Sequence, residues 1–373
     1  MADRFWTPGS AANWGDANVW ATTKGGDPTG IATPTSADNV YFTDDDVNNC
    51  TIGAAANCLD LDFTGYTGTL AGSSNLSFYG SAVFDSAMTN SWTGALYFKG
   101  TTSETFTSDG VHFAGNLQVN GAGGTLTLQD DFYSTSTIAL VNGTLDTNGY
   151  TVTMIGVTVA AIFKSPVLTL GSSTIVITGS SVYVWSVVEI GGTLTINAGT
   201  STIKFTNAFE DTSFNMYGKT YNNIWLTGGG AGYFFVSGGG TINNFKVDTP
   251  PCEIYFQASK TVTISSWTGS GTAGNLVKII SNTTTNATLA KAGGGVISLD
   301  YMDVDYITGS PADTWYMGAN STDGTHNSQI YFTAAPSSTS IKTVFGIPIA
   351  DIKTINGVAI ADVKSWLGIS NVD

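Results

Sequence analysis

The amino-acid sequence predicts an all-β protein built as a β-solenoid. Short apolar segments with period-two alternation follow one another from about residue 39 to residue 333, separated by polar turns rich in Gly, Asn, Asp and Ser. The unit Gly-Thr-Leu recurs from Gly68, Gly124, Gly143 and Gly192, which indicates an internal repeat of irregular period. The chain of 373 residues contains 45 Gly and only 11% charged residues, so hydroxyl groups can cover the outer strand faces while apolar groups fill a core.

Residues 1–40 are predicted to form an aromatic N-terminal cap. Phe5, Trp6, Trp14 and Trp20 lie among Gly, Asn, Asp and Pro without helical or strand periodicity, so aromatic packing is expected to supply most of the order. The end of a solenoid needs a cover because an open coil exposes unpaired strand edges. A platform on which these same aromatic rings stack against sugars is the alternative interpretation.

Residues 41–333 are predicted to form the solenoid itself. The pattern is clearest in residues 124–154, where short apolar pairs or single apolar residues alternate with polar turns and almost no other connecting chain. The apolar positions of this stretch are Leu126, Leu128, Ile138, Leu140, Leu145, Val152 and Met154. One strand therefore follows another, as in the coil of a β-solenoid.

Two Asn-Asn pairs indicate the length of one coil in the second half of the chain. Asn222-Asn223 and Asn243-Asn244 are 21 positions apart, and each pair precedes alternating apolar residues. Three short strands and three turns would occupy about that length. We expect the paired asparagines to stack as an internal ladder whose amides satisfy the turn backbone.

Residues 334–340 are predicted to be a linker, and residues 341–373 a separate module built from an eleven-residue repeat. An eleven-residue period could suit a right-handed helical supercoil. The Gly in every unit, Pro348 and the β-branched residues favour small β-hairpins instead, and Asn356-Gly357 is a strong two-residue hairpin signal. The repeat is defined by Lys342, Lys353 and Lys364 at one position and by Gly346, Gly357 and Gly368 at another.

The C-terminal module is the candidate site for oligomerisation or docking. About thirty residues of this apolar character can hardly bury themselves alone, so we expect them to pack on the solenoid or on another chain. The candidate contact residues are its apolar side chains, Ile341, Val344, Ile347, Ile349, Ile352, Ile355, Val358, Ile360, Val363 and Trp366.

The charge of the chain argues against two classes of partner. Twenty-eight acidic residues oppose 13 basic ones, which gives a net charge of -15, and Arg4 is the only arginine. Nucleic acids and anionic membranes need clustered Lys and Arg, so we expect neither as a partner. No segment approaches 18 consecutive apolar residues, and the N-terminus has no basic region followed by an apolar run. We therefore expect no membrane insertion, and synthesis in the cytoplasm without a signal peptide.

No cofactor or metal site is predicted. Cys50, Cys58 and Cys252 are an odd number of cysteines at no metal-binding spacing, so we expect reduced, buried thiols, although the sequence separation allows a bridge between Cys50 and Cys58. The acidic run of residues 44–46 could supply oxygen ligands to Ca²⁺, but its spacing matches no known calcium loop. A turn at a coil corner is the simpler interpretation.

No catalytic residue is assigned. Hydrolysis of a glycosidic bond needs two carboxyl groups about 5–9.5 Å apart, one of them with a raised pKa. Each candidate cluster is explained more simply as a solvated outer strand face or a turn, so a non-enzymatic protein is expected. The candidate clusters are Asp300, Asp303 and Asp305; Asp60 and Asp62; and Asp130 with Asp131.

Several segments resemble the Gly/Thr-rich β-solenoid proteins encoded by tailed bacteriophages and their prophages. The resemblance to the N-terminal region of those proteins lies in Arg4-Phe5-Trp6, Ala12-Asn13-Trp14 and residues 34–42. Residues 355–364 are similar to the tail-end repeats of phage virion proteins. The same family character is found in residues 143–153, 218–223 and 314–324.

This resemblance implies a single-stranded right-handed parallel β-helix, often trimeric, on the surface of a virion. The expected function is that of a structural virion protein, a tail spike or tail fibre adhesin that contacts host-surface glycans. A capsid decoration protein bound to the capsid lattice is the first alternative, and a glycan depolymerase is the second. The expected partners are other virion proteins, two further copies of the chain in a homo-trimer and, for an adhesin, host-surface polysaccharide.

Overall fold

The computed structural model describes residues 1–180, 183–230 and 232–336, and it also describes six two-residue strands of the C-terminal module. Within these residues the protein is all-β, without a helix, and mostly parallel strands form a β-solenoid of about 13 turns. The predicted fold class is therefore confirmed. No helix in this part of the chain is long and apolar enough to cross a membrane.

Each coil contributes strands to stacked columns, which we call faces A, B and C. Face A consists of Asp3–Trp6, Asn39–Tyr41, Leu61–Asp62, Ala82–Val83, Ser103–Thr107, the second halves of Leu117–Leu128 and Thr137–Asp146, Val167–Thr169 and Thr195–Asn197. Strand Trp20–Ala21 pairs with the first of these, antiparallel.

Face B runs along the solenoid from the second coil to the last. Its strands are Ala56–Cys58, Leu76–Phe78, Leu96–Phe98, the first halves of Leu117–Leu128 and Thr137–Asp146, Gly156–Ile162, Trp185–Ile190, Thr212–Asn215, Tyr233–Ser237, Cys252–Phe256, Val277–Ser281, Met302–Asp305 and Thr322–Asp323.

Face C consists of a four-stranded sheet in the first coils and a ten-stranded sheet in the later ones. The first contains Ala12–Asn13, Cys50–Ile52, Thr69–Gly72 and Thr89–Asn90. The second contains His112–Phe113, Phe132–Ser134, Thr151–Met154, Thr174–Ile177, Thr202–Phe205, Thr220–Leu226, Gly240–Val247, Thr261–Thr268, Ala287–Lys291 and Ile307–Ser310. A further small sheet pairs Ile297–Ser298 with Trp315–Tyr316.

The core is built by stacking the inward residue of one coil on that of the next. In face B, Ile138 lies in register between Leu117 and Val157, and all three side chains are buried. Successive strand residues point to opposite sides, so the intervening residues face outward. The period-two pattern of the sequence therefore becomes a continuous apolar interior, in which each coil covers the apolar groups of its neighbours.

The glycine of the Gly-Thr-Leu unit at residues 143–145 is required for steric reasons where faces B and A meet. Gly143 has φ +77°, and a Cβ atom there would lie 2.2 Å from the carbonyl oxygen of Gly121 in the preceding coil. A Cβ on Gly121 would lie 1.9 Å from the carbonyl oxygen of Gly100, one coil earlier. Only glycine tolerates both the left-handed conformation and this close approach of two backbones.

The N-terminal aromatic residues cover the first coil. The indoles of Trp6, Trp14 and Trp20 are buried around Phe42, with ring centroids 5.4, 5.9 and 5.7 Å from it. The indole nitrogens of Trp6 and Trp20 donate to the carbonyl oxygens of Asn48 and Trp14. Buried rings are not accessible to a sugar, so the alternative of a stacking platform is wrong for these three tryptophans.

Candidate functional site

The described strands of the C-terminal module form three antiparallel pairs. Thr343–Val344 pairs with Ile347–Pro348, Thr354–Ile355 with Val358–Ala359, and Ser365–Trp366 with Ile369–Ser370. Two residues separate the strands of each pair, so β-hairpins are confirmed and the helical supercoil is excluded there. Of the ten candidate contact residues, these strands include Val344, Ile347, Ile355, Val358 and Trp366; the other five, Ile341, Ile349, Ile352, Ile360 and Val363, lie outside the described residues, as do 337–340 of the predicted linker.

Asp130 and Asp131 connect neighbouring coils at a corner, as the turn interpretation predicts. A carboxylate oxygen of Asp130 accepts hydrogen bonds from the backbone nitrogen and the hydroxyl group of Ser108, at 2.8 and 3.0 Å. Asp131 accepts one from the backbone nitrogen of Thr151 at 2.7 Å, in the following coil. These carboxylates accept hydrogen bonds from backbone N–H groups that strand pairing leaves free, so they stabilise the corners of the fold.

Two further pairs of corner residues repeat this arrangement. The carboxylate of Asp85 accepts from the backbone nitrogen of Gly65, and that of Asp109 from Ser86, each at 2.8 Å and each in the preceding coil. Hydrogen bonding to the backbone of Ser86 lowers the pKa of Asp109. The charged form of the carboxylate is therefore the one that holds the corner.

The carboxylates of the cluster near residue 300 are used in different ways. Asp300 accepts hydrogen bonds from the backbone and side-chain nitrogens of Asn320, at 3.0 and 2.7 Å, and the side-chain bond is the main reason that the pKa of Asp300 is lowered. Asp305 lies 2.9 Å from Nδ1 of His326, whose ring stacks on Tyr306 at 4.2 Å between centroids. A general acid needs a raised pKa, so Asp300 has the opposite of the required shift.

The other sequence candidates also serve local structure. Asp60 accepts from the backbone nitrogen of Ser81 in the next coil, and Asp62 from that of Thr64, both at 2.8 Å. In the acidic run of residues 44–46, Asp44 forms an ion pair with Lys24 at 2.6 Å. Among the described residues, no group of three or more His, Cys, Asp or Glu side chains could hold a metal ion.

The three cysteines are free and buried. Cys50 and Cys58 form no bridge in this structure. Burial raises the pKa of the Cys252 thiol to about 12 and that of the Cys50 thiol well above its usual value. A protonated thiol is a poor nucleophile and a poor metal ligand, so these side chains act as small apolar groups of the core.

A row of charged side chains lies on the outside of face B. Glu253, Lys278 and Asp303 are neighbours in register on three consecutive strands, and Nζ of Lys278 lies 3.4 Å from the carboxylate of Glu253. The row borders a cavity of about 300 Å³ whose other lining residues are Gly230, Pro251, Cys252 and Leu276. Lys278 therefore forms an ion pair with Glu253, and Asp303 lies in register beside it on the next strand.

A second row lies on the outside of face C, and we call it the Trp225 surface: Lys204, Asn223, Trp225, Asn244 and Lys246. Lys204, Trp225 and Lys246 are in register on consecutive strands. The ammonium nitrogens of Lys204 and Lys246 lie 4.6 and 4.0 Å from the centroid of the indole ring. Both distances are within the range of cation–π contacts.

An amide ladder runs beside these lysines and confirms the stacking of the paired asparagines. Asn223 donates to the hydroxyl group of Thr202 at 3.0 Å, Asn244 donates to Asn223 at 2.7 Å, and the hydroxyl group of Ser266 donates to Asn244 at 2.6 Å. Asn244 is exposed and Asn223 half-buried. For Asn223 and Asn244 the expectation of an internal ladder is therefore wrong, because their bonds lie on the outer surface of the solenoid.

Trp225, Lys246 and the amide ladder border a groove of about 310 Å³. Sequence reasoning found the asparagines but not Trp225, Lys204 or Lys246. A signal was present, since Trp225 is 21 positions after Lys204 and 21 before Lys246, the same spacing as the two Asn-Asn pairs. At the spacing of one coil, such residues become neighbours on one face.

Neither the protein-family models, nor the curated proteins, nor the solved structures with which the chain was compared match it. We therefore infer function from the outer surfaces of faces B and C. Of these two surfaces, that of face B carries a row of three charged side chains in which Lys278 is paired with Glu253. The Trp225 surface combines ammonium groups, amides, hydroxyl groups and an aromatic ring.

Proposed function

We propose that this protein is a non-enzymatic structural protein of a tailed-bacteriophage particle, a tail spike or tail fibre adhesin that contacts glycans on the host surface. The observation that carries the glycan contact is the Trp225 surface, where amides and hydroxyl groups from consecutive coils lie beside the indole of Trp225 on the outside of face C. The resemblance of residues 34–42 and 355–364 to phage solenoid proteins supports the assignment to a phage particle.

The architecture supports a role as a stiff projection. About 13 turns at a strand spacing of about 4.8 Å form a stack of about 60 Å. Parallel hydrogen bonds connect each coil to the next, and corner carboxylates such as Asp130 add further bonds. A stiff rod can present many weak contacts at once, and such contacts gain avidity when they act together.

The use of the carboxylates supports a non-enzymatic role. Asp60, Asp130 and Asp300 bind backbone N–H groups of neighbouring coils. Glu253 and Asp303 belong to a row with Lys278 between them. These carboxylates accept hydrogen bonds between coils or lie beside a lysine, whereas a glycosidase requires one protonated carboxyl group beside a charged one.

The C-terminal hairpins are the part of the chain proposed to join copies to one another or to the particle. Their apolar residues recur with the eleven-residue repeat, as a surface that is covered in an assembly would require. We assign the homo-trimer and the contacts with other virion proteins to this module. The solenoid would then be displayed on the virion surface.

Immunogold labelling of intact particles with an antibody against the solenoid tests the location. We expect gold at the tail tip or along the tail fibres. Labelling confined to the capsid faces would overturn the adhesin proposal in favour of a head decoration protein. Labelling of particles that lack the protein serves as the control.

Incubation of the purified protein with host capsule or lipopolysaccharide tests the absence of enzymatic activity. We expect the chain-length distribution of the polysaccharide to stay unchanged. Shortened chains that disappear with the Asp303→Asn variant, but persist with Asp211→Asn, would show a depolymerase and contradict the proposal.

A further inference from the structure

We propose that the Trp225 surface is a binding site for an acidic glycan, with the sugar carboxylates at Lys204 and Lys246 and the sugar hydroxyl groups along the amide ladder. This inference rests on the proposed glycan contact and specifies its chemical class. It concerns a groove of about 310 Å³ on the outside of face C, lined by Trp225 and Lys246, together with Lys204, which contacts the same indole.

The positive charge of the Trp225 surface stands out in an acidic chain. Only 13 basic residues oppose 28 acidic ones, yet two ammonium groups converge on the same indole, one from the coil below and one from the coil above. Lys246 shares its charge with Asp248 at 3.1 Å, whereas Lys204 forms no ion pair with any residue in the described part of the chain. A carboxylate on a ligand would supply the missing partner.

Trp225 holds the two lysines in place. Its indole nitrogen donates to the carboxylate of Asp248 at 2.7 Å, which fixes the orientation of the ring. The cation–π contacts at 4.6 and 4.0 Å then restrict both ammonium groups to positions above and below the ring. A preordered pair of charges loses less side-chain entropy when a ligand binds than two freely moving lysines would.

The amide ladder offers what sugar hydroxyl groups require. Each asparagine amide has two N–H groups and two acceptor positions. Asn223 donates both of its N–H groups, to the carbonyl oxygen of Thr200 and the hydroxyl group of Thr202, and keeps one acceptor position, whereas Asn244 keeps one N–H group and one acceptor position. The free acceptor positions repeat at the strand spacing of about 4.8 Å along the solenoid axis. An extended oligosaccharide lying along the stack can therefore contact several coils in the same way.

The groove favours a glycan over a single-stranded nucleic acid. Nonspecific single-strand binding relies on bases that stack on free aromatic faces and on a row of many basic residues. Here the lysines of the adjacent coils lie over the indole of Trp225, and the chain has a net charge of -15. Two ammonium groups suit the wider charge spacing of a uronate-containing oligosaccharide.

Binding to defined oligosaccharides tests the inference. The probes are tetragalacturonate, a hyaluronate tetrasaccharide, and the same two compounds with their carboxyl groups reduced, titrated into the full-length protein by isothermal calorimetry at low salt. We expect at least one acidic probe to bind, its reduced form to bind at least tenfold more weakly, and the affinity to fall as salt is added.

Matched variants locate the binding. The double variant Lys204→Gln/Lys246→Gln should weaken binding of the acidic probe at least tenfold, and Lys204→Arg/Lys246→Arg should retain it. Lys260→Gln, at an exposed position outside the groove, removes the same type of charge and should have no effect. Circular dichroism melts of all variants check that folding is unchanged.

Four results would overturn the site: no binding of either acidic probe at millimolar concentration, equal binding of acidic and reduced probes, equal binding by the glutamine double variant, or tighter binding of oligo-dT than of the acidic probes. Failure here remains distinguishable from failure of the proposed function. If the protein labels the tail but the groove binds no probe, only the proposed binding site is wrong. If it labels the capsid, the adhesin proposal is wrong, whereas the affinity of the isolated chain for the probes is unchanged.

Discussion

At the scale of single residues, the acidic side chains at the coil corners replace backbone partners that the turns cannot provide. Asp130 is the clearest case, because its carboxylate accepts from the backbone nitrogens of both Ser108 and Asp109 and from the hydroxyl group of Ser108, a fully buried residue. A buried N–H group without an acceptor costs about 1–3 kcal/mol. The acidic composition of the chain thus has a structural use beyond solubility.

Replacing Asp130 with Asn should lower the free energy of unfolding by about 1–2 kcal/mol, because the new NH₂ group cannot accept a hydrogen bond from the backbone of Asp109. Asp211→Asn removes the same charge at an exposed position and should change stability by less than about 0.5 kcal/mol. Urea unfolding followed by circular dichroism measures both. Equal midpoints for the two variants would contradict the role of Asp130 at the corner.

At the scale of the strand, stability depends on how each inward side chain meets those of the adjacent coils. Phe106 on strand Ser103–Thr107 is fully buried, and its ring centroid lies 5.7 Å from that of Phe84 and 5.7 Å from that of Phe132. The ring is therefore shared between three coils. Its outward neighbour Thr105 is exposed.

Phe106→Ala should destabilise the protein by about 3–5 kcal/mol, because it removes a large buried ring and leaves a cavity between coils. Phe106→Leu should cost less, since it keeps most of the apolar volume. Thr105→Ala, one residue away on the outer face, should stay within about 0.5 kcal/mol of the wild type. Urea midpoints give the order, and a Thr105 variant as unstable as Phe106→Ala would show that the inward and outward assignments are wrong.

At the scale of the whole molecule, we propose different tasks for the solenoid and the hairpin module. Each coil is stabilised mainly by its two neighbours, so the solenoid can be long without a single central core. Among the described residues of the module, each strand pairs within its own hairpin, for example Val344 with Ile347 and Ile355 with Val358. Isolated two-stranded hairpins are marginally stable in water, which is why we assign them a partner surface.

Deleting residues 341–373 should convert the proposed trimer into a monomer. Sedimentation equilibrium should then report a mass near that of one chain, which is 38.8 kDa for the full length, instead of three times that value. The full-length double variant Ile355→Asp/Val358→Asp should have the same effect, because it places charges among the apolar contacts. A trimer that persists in both proteins would exclude this module as the oligomerisation site.

The sequence by itself determined the local structure, because strand alternation and turn chemistry depend on neighbouring residues. The apolar pattern around Ile138 and Leu140 predicted the buried side of the strand, and Asn356-Gly357 predicted a hairpin. The spacing of 21 residues between the Asn-Asn pairs predicted their stacking across coils. These features need no knowledge of distant contacts.

Only the tertiary structure decided which outward side chains meet. Ile138 and Val157, which stack in successive coils, are 19 positions apart, whereas Val157 and Trp185 are 28 apart, so no single period aligns the coils. Lys204, Trp225 and Lys246 form one surface because the coils between them have equal lengths and their strands pair without a shift at those residues. The tertiary structure also decided that the amide ladder lies outside the solenoid, because the path of the chain at each corner determines whether a side chain points inward or outward.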